Sequence, residues 1–341
     1  RKCKYCWTTL GRKHWIKIMT IKARVRGVGG YVPEKILSND DLAAIMDTSD
    51  AWIVSRSGIR QRHQADAELN VSDLAVRAAK KALEHAGMSI AEIDLIVVAT
   101  STPDHTFPAT AAYVQHKLGS THGAAFDIQV ACSGFVYGLS VVSAMIESGQ
   151  AKGALLIGAE LMTRLLDWED RSTAVLFGDG AGALVLCADD VAPDAPQVIN
   201  SYIRSDGQFA KLLYTTGGAG STGTAGTIYM EGREVYRHAV TNIAEAICTL
   251  LDTSGFEIDD IDWFVPHQAN KRIIDGVARK IGLPPEKTVL TVADHANTSA
   301  ASIPLALDMA VRDGRIKPGD MVMTEAMGGG LSWGANLIRW S

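Results

Sequence analysis

A chain of 341 residues, 47% apolar and 21% charged, can bury one large or two medium cores without disulfide staples. Its five cysteines (Cys3, Cys6, Cys132, Cys187, Cys248) are odd in number and irregularly spaced, which excludes a disulfide framework and points to reduced thiols in a cytoplasmic setting. No apolar run reaches about 18 residues and no signal-peptide pattern opens the chain, so neither a membrane span nor secretion is expected.

Residues 1–18 hold six basic and no acidic side chains and are expected to lie outside the fold. Subtracting those six from 33 Lys+Arg leaves 27 against 38 Asp+Glu, a formal −11 for the body, which argues against nucleic acid as a partner. The tail carries Cys3, Cys6 and His14, but no second ligand pair at zinc-finger spacing follows, so no metal site is expected.

Helical periodicity over Val76–Glu84 leads through a Gly-containing turn to an apolar strand, Leu95–Ala99, then to a helix over Ala109–Leu118 that ends at Gly119. The stretch Val130-Ala-Cys-Ser-Gly-Phe135 places Cys132 before a helix whose Phe135, Val136, Leu139, Val141, Val142, Met145 and Ile146 cover most of its circumference, the mark of an interior helix. Such a helix aims its positive end at Cys132, and a shift of about one unit below a thiol's ordinary ~8.5 is expected. A small buried core residue is the competing reading, since free cysteine is among the most buried residue types. Gly149-Gln-Ala-Lys152 then precedes a strand over Ala154–Ile157, and Gly217–Gly226 reads as a flexible loop.

The second half repeats the first. Leu83, Gly87, Ile90, Ile93 and Asp94 return as Leu251, Gly255, Ile258, Ile261 and Asp262, a constant difference of 168, within a helix over Val240–Leu251 and a strand over Trp263–Val265. A helix over Lys271–Ile281 follows, ended by Gly282, and Gly314-Arg-Ile-Lys317 precedes the strand Met321–Met323. That last match to Gly149–Lys152 has a difference of 165, which sets Cys132 over Asn297. Alternating strands and helices in both halves predict two similar α/β units with parallel or mixed sheets, residues 19–190 and 191–341. His267, in Val265-Pro-His-Gln-Ala-Asn270, falls at a strand's carboxyl edge, where α/β proteins place ligands. Asn297, in His295-Ala-Asn-Thr-Ser299, precedes a helix, where an N-cap is the plain alternative. Gly328-Gly-Gly330 after Thr324–Met327 lets backbone N–H groups approach a ligand, without the Lys-Ser/Thr of a phosphate loop.

VACSGF, VPHQAN, HANTSAASIP and the closing GGG, with SDAWIVSRSGIR at Ser49–Arg60 and FGDGA at Phe177–Ala181, resemble the β-ketoacyl-ACP synthase III family of the thiolase superfamily, from about Met19 to Ser341. One departure is Ala296, where many relatives carry Gly. The resemblance implies a thiolase-like, layered αβαβα body and a homodimer. It implies condensation of an acyl-CoA primer, taken to be acetyl-CoA, with malonyl-ACP, the CoA thioester being a substrate and no cofactor being needed. It assigns catalysis to Cys132, His267 and Asn297, an oxyanion hole to the N–H groups of Cys132 and Gly329, and CoA contacts to Trp52, Arg56, Arg171 and Asn270. Phe107 matches the residue bounding the primer pocket. Arg237, Lys271, Arg272, Arg279 and Lys280 form a basic stripe suited to acidic ACP, a stripe that is otherwise only a solvated face. A related quinolone or polyketide synthase shares most motifs, a Cys-His-Asn hydrolase shares the residue order, and a catalytically silent scaffold is the third alternative.

Overall fold

The structure is a computed structural model that describes residues 20–341, so Cys3, Cys6 and His14 lie outside the described residues. The first half runs β1 (Thr20–Tyr31), α1 (Val71–Ala86), β2 (Leu95–Ala99), α2 (Thr110–Leu118), β3 (Ala124–Ile128), α3 (Gly134–Glu147), β4 (Gly153–Leu161) and β5 (Asp179–Val191). The second runs β6 (Gln197–Ser205), α4 (Gly232–Ser254), β7 (Trp263–Pro266), α5 (Lys271–Ile281), α6 (Ser302–Arg312), β8 (Met321–Gly328) and β9 (Ser332–Arg339). One sheet has the order β1-β5-β4-β2-β3 and the other β6-β9-β8-β7. Each joins antiparallel outer strands to a parallel pair, β2 with β4 and β7 with β8. Where β3 pairs with β2, the second half keeps a single parallel bridge from Phe264 to Thr288.

Five layers follow from where the apolar side chains go. Leu95 and Val97 of β2 face the interior shared with the other sheet, while Ile96 and Val98 face α1 and α2. A strand buried on both faces reads as a continuous apolar run, which is why it stood out in the sequence. Between the sheets lie α3 and α6: Phe135, Leu139 and Ile146 share one core with Ile303, Leu307 and Ala310, flanked by Leu156 on one side and Val322 on the other. Each such side chain contributes roughly 1.5–3 kcal/mol on burial, so the middle layer holds the sheets together. The outer layer α4 and α5 covers the second sheet. On the first sheet α1 sits unusually close, since an added Cβ at Gly27 would lie 2.4 Å from the Ala82 carbonyl oxygen; the alanine face of α1 and the glycines of β1 permit that approach.

The repeat is visible in the caps. Gly87 and Gly255 both end their helices in the left-handed conformation, at φ 63° and 73°. The Asp94 carboxylate accepts the Gly153 N–H, and the Asp262 carboxylate accepts the Met321 N–H. One expectation is corrected. The turns Ala131–Ser133 and Ser299–Ala301 are equivalent, each opening on a non-glycine residue with positive φ, 45° at Ala131 and 49° at Ser299. The difference is again 168, which places Cys132 over Ala300, not Asn297. The value 165 holds only beyond the middle helices, because α6 has 11 residues and α3 has 14.

Candidate active site

The first positive-φ turn follows β3 and the second follows the short helix Val292–His295; each leads into a middle-layer helix, and they pack against each other. Neither has room for a side chain opposite its tip. A Cβ on Gly328 would lie 2.7 Å from the Cys132 nitrogen, and one on Gly158 would lie 2.2 Å from the Ala300 oxygen. Cys132, His267 and Asn297 are 7%, 5% and 6% exposed, and all three line one cavity of about 620 Å³ together with Gly329 and Asn270. The sequence expectation that separate segments meet there is met.

His267 follows β7 directly, with its N–H on the Glu325 carbonyl at 2.8 Å. Gln268 locks the turn, donating to the Pro266 and Val289 carbonyls and accepting from the N–H groups of Thr291 and Val292. The His267 ring faces Ser302, with Nδ1 2.7 Å from Oγ. That oxygen also accepts the Gln268 N–H at 3.2 Å; with the Ser302 proton assigned to Nδ1, Nε2 carries the imidazole hydrogen. Burial pushes the His267 pKa down to about 3, so the ring is a neutral donor. Asn297 is oriented in the same sense: its Oδ1 accepts the Ser299 N–H at 2.9 Å, leaving Nδ2 as the free end. It is not an N-cap. Asn270 is one, its Oδ1 accepting the Ile273 N–H at 3.0 Å.

Cys132 departs from expectation. Burial pushes its thiol up to about 11, with the Glu160 charge adding to the rise; a full desolvation penalty outweighs a helix-end effect of at most ~2 kcal/mol. Gly329 lines the cavity beside Cys132, whose own N–H points toward its sulfur. Phe107 is 84% exposed on the loop before α2 and does not line the cavity of its own chain.

Trp52, Arg56 and Arg171 come together outside that cavity, with the two guanidinium carbons 4.6 and 5.1 Å from the indole centroid. The basic stripe is exposed, yet Arg237 is paired with Glu234 and Lys271 with Asp275, whereas Arg272 and Arg279 form no ion pair among the described residues. Sequence reasoning passed over two buried carboxyls beside the cavity. Burial pushes Glu160 up to about 7 and Glu325 up to about 8. A lone acid inside each apolar run, Ala154–Leu161 and Met321–Met327, was the available signal. Among the described residues no group of three or more His, Cys, Asp or Glu side chains could hold a metal, and no helix is long and apolar enough to cross a membrane.

Five layers of this topology with a cysteine at the mouth of the middle layer make the protein a condensing enzyme of the thiolase fold, an acyltransferase. Residues 126–207 match the family described as 3-oxoacyl-[acyl-carrier-protein] synthase III, and residues 251–340 match its C-terminal part. The chain is 58% identical over 317 residues to the β-ketoacyl-[acyl-carrier-protein] synthase III of Hyphomonas neptunium, covering 92% of this chain and 98% of that one. The enzyme of the same name from Novosphingobium aromaticivorans is 56% identical, covering 94% and 100%. Among solved structures, the synthase III of Pseudomonas aeruginosa superposes with a TM-score of 0.88 at 45% identity, covering 94% of this chain and 98% of that one. The priming β-ketosynthase of the R1128 polyketide pathway superposes equally well, 0.88, at 34% identity, covering 96% and 99%. The chain belongs to the β-ketoacyl-ACP synthase III family. It is a condensing enzyme of fatty acid biosynthesis, joining an acyl-CoA primer to malonyl-ACP to give 3-oxoacyl-ACP.

Proposed function

We propose that Cys132 is the nucleophile, that acetyl-CoA is the primer, and that His267 and Asn297 stabilise the enolate of the condensation step. Cys132 attacks the primer thioester, and the N–H groups of Cys132 and Gly329 take up the negative charge on its oxygen. CoA leaves, malonyl-ACP enters and loses CO₂, and the enolate attacks the acyl-Cys132 carbonyl. One observation carries this reading: both polar side chains have their acceptor atoms tied to serines, Nδ1 of His267 to Ser302 and Oδ1 of Asn297 to the Ser299 N–H. What remains toward the cavity is a pair of donors that stay neutral near pH 7, which is the requirement for holding a developing enolate oxygen, and one such donor is worth ~10²–10³ in rate.

Trp52 with Arg56 and Arg171 supplies a flat cationic stack for the adenine and phosphates of CoA, and the Asn270 carboxamide supplies a polar contact for pantetheine. Arg237, Lys271, Arg272, Arg279 and Lys280 offer ACP a basic face on a body that is otherwise acidic. The protein acts as a cytoplasmic homodimer without a cofactor. Exposure of Phe107 supports the dimer, since a phenylalanine that bounds a primer pocket but faces away from its own chain's cavity must reach that of a second copy.

A cysteine hydrolase is disfavoured on chemistry. It needs a thiolate beside an imidazolium, whereas here burial raises the thiol and depresses the imidazole, leaving both neutral. Incubation with labelled acetyl-CoA and intact mass measurement tests the proposal. One acetyl group is expected on the wild type and none on Cys132→Ala; an unmodified wild type, or an adduct persisting in the variant, overturns it.

A further inference from the structure

A protonated thiol cannot attack a thioester until something takes its proton, and the cavity's imidazole is unsuited: its Nδ1 accepts from Ser302 and its Nε2 carries hydrogen. A carboxyl group stands on the other side of the sulfur. Glu160, at the end of β4, is fully buried, and its Oε2 accepts from the Ser101 N–H at 3.0 Å, Thr102 Oγ1 at 2.8 Å and Thr100 Oγ1 at 3.3 Å. Those bonds fix the loop after β2 and account for one oxygen only. Among the described residues the other, Oε1, has no hydrogen-bond partner, and neither do the buried hydroxyls of Ser299 and Ser101. The Ser299 hydroxyl faces both the Cys132 sulfur and the Glu160 carboxyl. Three orphaned polar atoms in a core beside the nucleophile need an explanation, because an unmade buried hydrogen bond costs ~1–3 kcal/mol.

We propose that Glu160, acting through the Ser299 hydroxyl, takes the thiol proton of Cys132 during acylation and returns it when the condensation releases the sulfur. This rests on the reading of Cys132 as nucleophile. In the first half the Sγ proton passes to Ser299 Oγ as the Ser299 proton passes to Glu160 Oε1. The sulfur lone pair forms the S–C bond, the C–S bond to CoA breaks, and the CoA thiolate leaves and takes a proton from solvent. In the second half the tetrahedral adduct expels Cys132 as thiolate, which recovers the proton from Glu160 by the reverse path. The cycle consumes one proton overall, which balances loss of the malonyl carboxylate as CO₂.

Glu160 fits the task in electrostatic terms as well. Burial, partly offset by the bonds from Ser101 and Thr102 and by the nearby Ser299 hydroxyl, holds it near 7, between the carboxylate it must be before acylation and the acid it must be after. Cys132 is the titratable group facing it; Thr100, Ser101, Thr102, Ser299 and Ala300, its other neighbours, do not titrate.

The test is single-turnover acylation of the full-length protein by labelled acetyl-CoA across pH, read by intact mass. For the wild type the rate should rise and level off through about 7. Glu160→Gln keeps an oxygen for the three donors but cannot accept a proton; its rate should fall about 100-fold near neutrality and climb about tenfold per pH unit without levelling, as thiolate alone then reacts. Ser299→Ala, which leaves the backbone N–H to Asn297 in place, should do the same and serves where Glu160→Gln does not fold. Glu160→Asp should regain part of the rate and the plateau. A variant that acylates at the wild-type rate with the wild-type profile overturns the relay. Absence of any adduct on the wild type overturns the nucleophile assignment instead.

Discussion

The hydroxyl of Ser302 sits 2.7 Å from His267 Nδ1 while accepting the Gln268 N–H at 3.2 Å, so the first residue of α6 sets the tautomer of a ring carried by β7. Ser302→Ala removes that control and leaves Nδ1 and an N–H unpaired. Losing a hydrogen bond of ~1–1.5 kcal/mol corresponds to roughly a tenfold fall in rate. That fall is expected in condensation with malonyl-ACP, while acetyl transfer to Cys132 stays within about twofold. Equal loss in both half-reactions would show that the serine serves the fold rather than the ring.

Asn297 gives a sharper separation. With Oδ1 held by the Ser299 N–H, only Nδ2 is available to the cavity. Asn297→Asp keeps size and the accepted bond and deletes the donor, placing an acceptor where an enolate oxygen would form. Malonyl-ACP decarboxylation should drop by about 10²–10³, measured as CO₂ release, with acyl-Cys132 still forming. Retained decarboxylation would remove Asn297 from the enolate site.

Much of this was readable before any coordinates. Fully buried strands give unbroken apolar runs, helix ends give glycines, and the middle helix declares itself by being apolar all round, so the two α/β halves and the interior helix followed from pattern, while the layered αβαβα body was what the family resemblance implied. The register of the repeat did not. Gly149 and Gly314 align with a difference of 165, but the shortening of α6 lies between them and the turns, and no residue marks where it falls. Nor did the state of Cys132 follow, because a helix N-terminus is visible in sequence and depth of burial is not. Nor did the exposure of Phe107 follow, because a loop phenylalanine in sequence looks the same whether it faces its own chain or solvent.

Stability should depend on pH in opposite senses at the two ends of the range. Burial lowers His267 to about 3 and His295 to about 4 from 6.5, so the unfolded chain binds protons the folded one refuses, and stability is lost as pH falls below 6.5. Burial raises Glu160 to about 7 and Glu325 to about 8 from 4.5, so the folded chain keeps protons the unfolded one has shed, and stability is lost as pH rises toward 8. Between 4.5 and 6.5 the contributions oppose each other, which predicts a plateau there. Each group supplies a slope of at most about 1.4 kcal/mol per pH unit. Glu325→Gln should flatten the alkaline limb, raising the urea midpoint at pH 8 relative to pH 6; an unchanged limb would mean that Glu325 is not held protonated.

The basic stripe divides into charges already answered within the chain and charges left for a partner. Arg237 and Lys271 lean on Glu234 and Asp275, three and four residues away, and such exposed pairs spend much of their field locally. Arg272 and Arg279 lie on the outer face of α5, whose Ile273, Ile274 and Val277 are buried beneath. Reversing Arg272 and Arg279 together to Glu replaces attraction for an acidic carrier with repulsion. The KM for malonyl-ACP should rise about tenfold or more at low salt and converge toward the wild type as the Debye length falls below ~8 Å near physiological ionic strength and beyond. Arg237→Glu should do less, since its charge is half-compensated at the outset. Acetyl-CoA loading should be unchanged in both, because none of the substituted residues is among the proposed CoA contacts Trp52, Arg56, Arg171 and Asn270. Steady-state kinetics against salt decide the matter: a KM for malonyl-ACP that ignores the double reversal removes α5 as the docking face.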